Sequence, residues 1–201
     1  MITSHDGFQR SESLKFPVNN TTTVSVLSTD GALALLANES FLREWQSLFE
    51  SCPHATVFQA PFFASTWYSV YQREWHPVIV RGTDADGRLV GLWLLAKHGK
   101  THQLAHVGAH QAEYQGWLAS QSYDESFVAG AWRALREEFR FATLRFKYLP
   151  ASLADSLRRV VGTSHIDVRI SRRPFAMLLS QDSAGCRQRR ARKASRADLI
   201  V

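Results

Sequence analysis

The sequence predicts a mixed α/β (α+β) domain with a central sheet flanked by helices. Three observations carry this. Short β-branched and alternating segments cluster in the middle of the chain, where sheets are built. Helical periodicity occurs in only a few separated stretches. The predicted order β-α-α-β-β-β-α-β-α-β-β is not the strict alternation of a doubly wound fold.

The elements follow in turn. Residues 1–21 are polar and aperiodic and read as a flexible leader. Thr23 to Ser28 alternates polar and apolar residues, as a half-buried strand does. Asn38 is placed to cap a helix, because Phe41, Leu42, Trp45, Leu48 and Phe49 then form one wide apolar stripe. Ser51, Cys52 and Pro53 end it. Pro61 suits the first turn of a second helix, where its missing N–H costs nothing. That helix carries Phe62, Phe63, Trp67, Val70 and Tyr71. Aromatic residues are dense here (Trp45, Phe49, Phe58, Phe62, Phe63, Trp67 and Tyr71), and helical spacing assigns them to the core rather than to a ligand cleft.

Pro77 to Arg81 and Arg88 to Lys97 read as a hairpin whose turn, Thr83 to Gly87, contains Asp-Gly. Gln103 to Val107 and Tyr114 to Ala119 read as one further strand, kinked at Gly108. Asp124 is expected to cap a helix reaching Arg140, with Phe127, Val128, Ala131, Trp132, Leu135 and Phe139 on one side. Ala142 to Tyr148 alternates as a strand. Ser152 to Val161 is a short helix stopped by Gly162, and Ile166 to Ile170 and Phe175 to Leu179 are two last strands.

Composition narrows the function. The chain has 201 residues, 45% apolar and 21% charged, enough to bury a core without disulfides or a metal. Cys52 and Cys186 lie outside any C-x-x-C pattern, which excludes a disulfide framework and a cysteine-only zinc site and fits a reducing compartment. The longest apolar runs, Gly31 to Ala37 and Leu89 to Ala96, fall short of the ~18 residues that span a bilayer. With no signal-peptide pattern at the amino terminus, a cytoplasmic location is expected.

The net charge of +6 is concentrated at one end. Residues 186–201 hold six basic residues and one acid, or +5, leaving +1 for the rest. Nucleic-acid binding by the whole surface is therefore not expected. The tail, 183–197, has basic and helix-compatible character but lacks aromatics for base stacking and a wide apolar face for lipid.

The ordered motifs resemble a known family. Pro53-His54-Ala55-Thr56-Val57-Phe58-Gln59-Ala60-Pro61, the hairpin Gly87-Arg88-Leu89-Val90-Gly91-Leu92, and Leu104 to Gly108 with Glu113-Tyr114 are similar to motifs of GNAT-superfamily acyltransferases of the CelD-like, cellulose-biosynthesis-type, FemAB-related group. The resemblance covers roughly Ala34 to Leu179. It implies a GNAT-like domain over 22–180 and a transfer of an acyl group from acyl-CoA to an amine or hydroxyl acceptor, such as a glycan precursor. It also implies a second GNAT-like domain, joined through a basic helix that 181–201 resembles in its first part. This chain carries one copy of the fold, so the alternative is a truncated, non-catalytic half acting as a scaffold or acceptor-recognition module.

The resemblance makes Glu113 and Tyr114 the candidate catalytic pair, with His110 in a similar role. A carboxylate, phenol or imidazole there would take a proton from the attacking acceptor. The competing reading is a structural pair at a strand edge with Tyr114 half-buried. No cofactor-binding residue is assigned. The segment nearest to the Q/R-x-x-G-x-G/A loop that holds the acyl-CoA pyrophosphate is Gln103 to Gly108, and it has His106 where the first glycine belongs. His98, His102, His106 and His110 recur at intervals of four, but glycines interrupt them, and no metal site is expected.

Overall fold

A computed structural model describes residues 21–101, 103–139, 144–161, 167–173 and 194–200. The strands are β1 (Thr23–Ser28), β2 (Trp75–Thr83), β3 (Leu89–His98), β4 (Leu104–His106), β5 (Leu118–Ala119), β6 (Leu144–Leu149), β7 (Asp167–Arg173) and β8 (Ala194–Ile200). They form one sheet in the order β1-β2-β3-β4-β6-β8-β7, and β5 pairs with the other end of β3. Every pairing is antiparallel except β4 with β6, which run parallel through Leu104↔Leu144 and Ala105↔Arg145. The sheet therefore divides. Past Ala105, residues 107–117 leave it as a loop, and the chain rejoins β3 at Leu118.

Helices cover both faces. On one lie α1 (Thr29–Leu36), α2 (Glu39–Ser51) and α3 (Pro61–Tyr71); on the other lie α4 (Asp124–Glu138) and α5 (Ala151–Val161). β2 and β3 are buried on both sides, so they read as continuous apolar runs. Their side chains still alternate. Ile79, Leu92, Leu94 and Ala96 join the α1–α3 core, whereas Val78, Val80, Trp93 and Leu95 join the α4–α5 core.

Local chemistry sets the boundaries. The Asn38 side chain accepts from the Phe41 N–H and caps α2 as its spacing predicts. Pro61 occupies the first turn of α3. In the β2–β3 turn, Asp84 Oδ1 accepts from the N–H groups of Asp86 and Arg88.

The structure departs from the sequence expectations at several points. α1 has no counterpart in the predicted order; it is a single short helix containing Gly31, with no side-chain cap. The strand expected over Tyr114 to Ala119 shrinks to two residues. Asp124 is the first residue of α4 rather than its cap, a position held by Tyr123 without a side-chain bond. Ala194–Ile200 is a strand between β6 and β7, so the helical reading of the tail does not hold there. Not every expected core aromatic is buried, since Phe62 is 82% exposed. The leader over 1–20, Gly162, and the strand expected over Phe175 to Leu179 lie outside the described residues.

Candidate functional site

The loop 107–117 carries all three candidate residues, and two sequence segments hold it from one side. The first is the motif at 53–61. Trp45 Nε1 donates to the Gln59 carbonyl at 2.9 Å, fixing the 3₁₀ turn Val57–Gln59 against α2. Gln59 Nε2 then donates to the Tyr114 carbonyl at 2.6 Å, and Gln59 Oε1 accepts from the Thr56 N–H and hydroxyl. Just before the motif, the Cys52 thiol donates to the Ala119 carbonyl at 3.3 Å. The second is α3, where Trp67 Nε1 donates to Gln111 Oε1 at 2.7 Å and Gln111 in turn donates to the Tyr71 hydroxyl.

β6 holds the loop from the other side. Gln115 acts as a one-residue substitute strand: its N–H donates to the Lys147 carbonyl at 3.0 Å, and its Oε1 accepts from the Lys147 N–H at 2.9 Å. Lys147 Nζ donates to the His110 carbonyl at 2.9 Å. At the root of the loop lies His106, fully buried, between the carbonyls of Val107 and Gly116 at 2.7 Å each.

Backbone strain gathers here. Gly108 has φ +86°, and a Cβ on it would stand 2.5 Å from that of Ala112, so only glycine fits the kink. Ala109 (φ +41°) and Tyr148 (φ +52°) take the left-handed region without being glycine. Tyr148 lies in the interval Phe146 to Leu149, where the register of β6 against β8 shifts. Strained residues on facing segments are a recurrent mark of functional sites.

The candidate residues take different positions. Glu113 and His110 are exposed, and Tyr114 is half-buried. All three sit on the loop, so Glu113 and Tyr114 do not stand at the edge of the strand expected from Tyr114 to Ala119. Tyr114 stands in an aromatic row. Its ring centroid is 6.1 Å from those of Phe58 and Tyr148, and Phe58 meets Phe63 edge-on at 5.2 Å. Sequence reasoning did not single out Tyr148, Lys147 or Gln115. Their part in the site depends on the parallel β4–β6 pairing, and nothing local to Phe146-Lys147-Tyr148 announces it.

Beyond the loop, Asp124 organises the start of α4. Its carboxylate accepts from Trp117 Nε1 at 2.7 Å and from the Ser156 hydroxyl at 2.6 Å. Glu125 follows it in the first turn and accepts from Arg159 Nε at 2.6 Å. Burial pushes the Cys52 thiol up from its ordinary value. Burial pushes the His54 imidazole down, and the nearby Asp124 charge opposes that shift. His54 Nε2 is enclosed and has no hydrogen-bond partner among the described residues.

The four spaced histidines do not converge. His98 Nδ1 accepts from the N–H groups of Lys100 and Thr101, His106 is enclosed at the loop root, His110 is exposed, and His102 lies outside the described residues. No group of three or more potential metal ligands occurs among the described residues. An open groove of about 490 Å³ lies between α2 and the β2–β3 turn, lined by Glu44, Ser47, Arg88 and Ser120 among others. It contains none of the candidate residues. Among the described residues, no helix is long and apolar enough to cross a membrane. Comparison of the chain with family models, with curated proteins and with solved structures gives no match.

Proposed function

We propose that this is a GNAT-like domain that recognises an acyl acceptor and does not hold the acyl-CoA donor. Two features support the GNAT-like part of the reading. One is the strand order, with a parallel pair at the middle of the sheet and a division just beyond it. The other is the bracing of the dividing loop by the motif at 53–61, which carries the sequence resemblance.

The first turn of α4 carries the second part. A donor pyrophosphate in such a fold would rest on the N–H groups at the start of the helix that follows the divided strand. Here that turn begins Asp124-Glu125. The Asp124 carboxylate is pinned by Trp117 and Ser156. A fixed negative charge there repels a polyanion and takes the electrostatic position it would use. The acceptor side is better provided. Phe58 and Tyr114 offer partly exposed rings, the buried Tyr148 ring packs against Tyr114, and the exposed Glu113 precedes Tyr114 in the chain. Such a surface suits an amine- or hydroxyl-bearing molecule with an apolar face.

Calorimetric titration with acetyl-CoA and with a longer acyl-CoA tests the donor half of the proposal. No saturable heat is expected from folded protein. Micromolar binding to either ligand overturns the reading and makes the domain a complete transferase, in which Glu113→Ala and Tyr114→Phe would then lower turnover. NMR shift mapping with simple amines and amino sugars tests the acceptor half. Shifts are expected at Phe58, Tyr114 and Tyr148; shifts confined to the groove beside Glu44 would place acceptor binding elsewhere.

A further inference from the structure

We propose that His106 is a proton-operated clamp on the loop 107–116, holding both ends of the loop when doubly protonated and only one end when neutral. The ring contacts acceptors on both sides. Nδ1 lies 2.7 Å from the carbonyl of Val107, the first residue of the loop, and Nε2 lies 2.7 Å from the carbonyl of Gly116, ten residues further along than His106. A neutral imidazole has one donor and one acceptor. It can satisfy one of these carbonyls, and at the other its lone pair faces a second lone pair at hydrogen-bond distance. Only the imidazolium donates to both, and it does so through charge-assisted bonds.

The surroundings oppose that charge. His106 is fully buried, opposite Leu95 of β3. Burial pulls the ring below the ordinary histidine value, and the two carbonyls pull it back up. The titratable and charged groups on the adjoining segments are Lys97 and His98 on β3, Arg145, Lys147 and Tyr148 on β6, His110, Glu113 and Tyr114 on the loop, and Asp124 and Glu125 at the start of α4. Tyr68 reaches across from α3 to the Leu95 carbonyl. Burial and the two carbonyls govern the titration of His106. The ring thus takes its proton on the acid side, and the clamp closes as pH falls.

What closes is the segment that presents His110, Glu113 and Tyr114. Its first turn holds Ala109 at φ +41°, so releasing one root lets that residue relax. The clamp belongs to the loop itself and stands whether or not the domain takes part in acyl transfer.

NMR of the full chain labelled in its histidines, combined with amide exchange, tests the clamp between about pH 4 and pH 8. Both ring nitrogens of His106 are expected to carry protons at the acid end and one at the basic end. Exchange of the loop amides, corrected for its intrinsic pH dependence, should slow about tenfold on the acid side, as expected for one gained charge-assisted bond. The two midpoints should coincide. His106→Gln keeps a donor that reaches toward the Gly116 carbonyl but cannot titrate, so the step in loop exchange should vanish. A ring that keeps one protonation state across the range overturns the proposal. So does loop exchange that ignores the ring, or a full step surviving in His106→Gln. Should that variant fail to fold, the ring titration and loop exchange of the unaltered chain decide the matter.

Discussion

The two faces of the sheet handle their buried polar groups differently. On the α1–α3 face, four polar side chains in the core tie distant segments together, although His54 Nε2 and Arg81 Nε are enclosed there without a partner among the described residues. Trp45 reaches Gln59, Trp67 reaches Gln111, Tyr68 reaches the Leu95 carbonyl, and Cys52 reaches the Ala119 carbonyl. On the α4–α5 face, Trp93 stacks on Phe146 at 5.5 Å and tilts against Trp117, yet its buried Nε1 has no partner among the described residues. His106, paired with Leu95 of that core, faces one more carbonyl than a neutral ring can satisfy. A satisfied polar core specifies a single arrangement, and an unsettled one leaves room for two. The cross-ties of the first face make it the firmer support, and on the second His106 is the group that can change its bonding.

The same substitution made on each face measures this difference. Trp45→Phe removes buried volume and leaves the Gln59 carbonyl without its donor, and should cost about 3 kcal/mol. Trp93→Phe removes similar volume but also removes an unpartnered N–H, and should cost only about 1 kcal/mol. Urea unfolding of the two variants gives the comparison directly. Equal costs would mean that Trp93 does have a partner, such as a buried water, and would erase the contrast between the faces.

A smaller change asks whether the firmer face reaches the loop. Gln59 is 4% exposed and is the direct link from the 53–61 motif to Tyr114. Gln59→Ala should cost about 2 kcal/mol, because it strips the Tyr114 carbonyl and the Thr56 N–H of a partner. Amide exchange around Tyr114 should speed up while exchange in β2 and β3 stays unchanged. Uniform acceleration across the sheet would instead make Gln59 a general core residue with no special hold on the loop.

The firmer face was also the more legible one in the sequence, and the reason is that its signals are local. The stripe from Phe41 to Phe49, the Asn38 cap and Pro61 each act within a turn or two of the residues they organise. The Asp-Gly turn and the apolar runs of β2 and β3 likewise announce themselves. The other face depends on pairs far apart in sequence. Asp124 reads as a cap because its partners, Trp117 and Ser156, lie outside its own helix. The register between β4 and β6 joins Leu104 to Leu144, and β8 enters the sheet from a segment whose charge suggests a solvated tail. At the candidate site, Glu113, Tyr114 and His110 could be found from motif order. Their shared loop, the facing Tyr148 and the ties to Lys147 could not, since these follow from that same long-range pairing.

The smallest expected effect concerns protons. His54 is half-buried, and burial lowers its imidazole from the ordinary 6.5 while the Asp124 charge opposes the shift. The unfolded chain therefore binds this proton more readily than the native one. The contribution of neutral His54 to stability is fully present above the ordinary histidine value and is lost as pH falls through the lower native value. Thermal unfolding should show the melting temperature dropping on acidification below about pH 6.5. His54→Gln should flatten part of that slope and leave the remainder to His106, whose imidazole burial also lowers. In Asp124→Asn the opposing charge is gone, so the native value of His54 falls further and the loss extends to lower pH. A His54→Gln variant that keeps the full slope would assign all of it to the α4–α5 face, making His106 the dominant acid-sensitive group and drawing the contrast between the two faces more sharply.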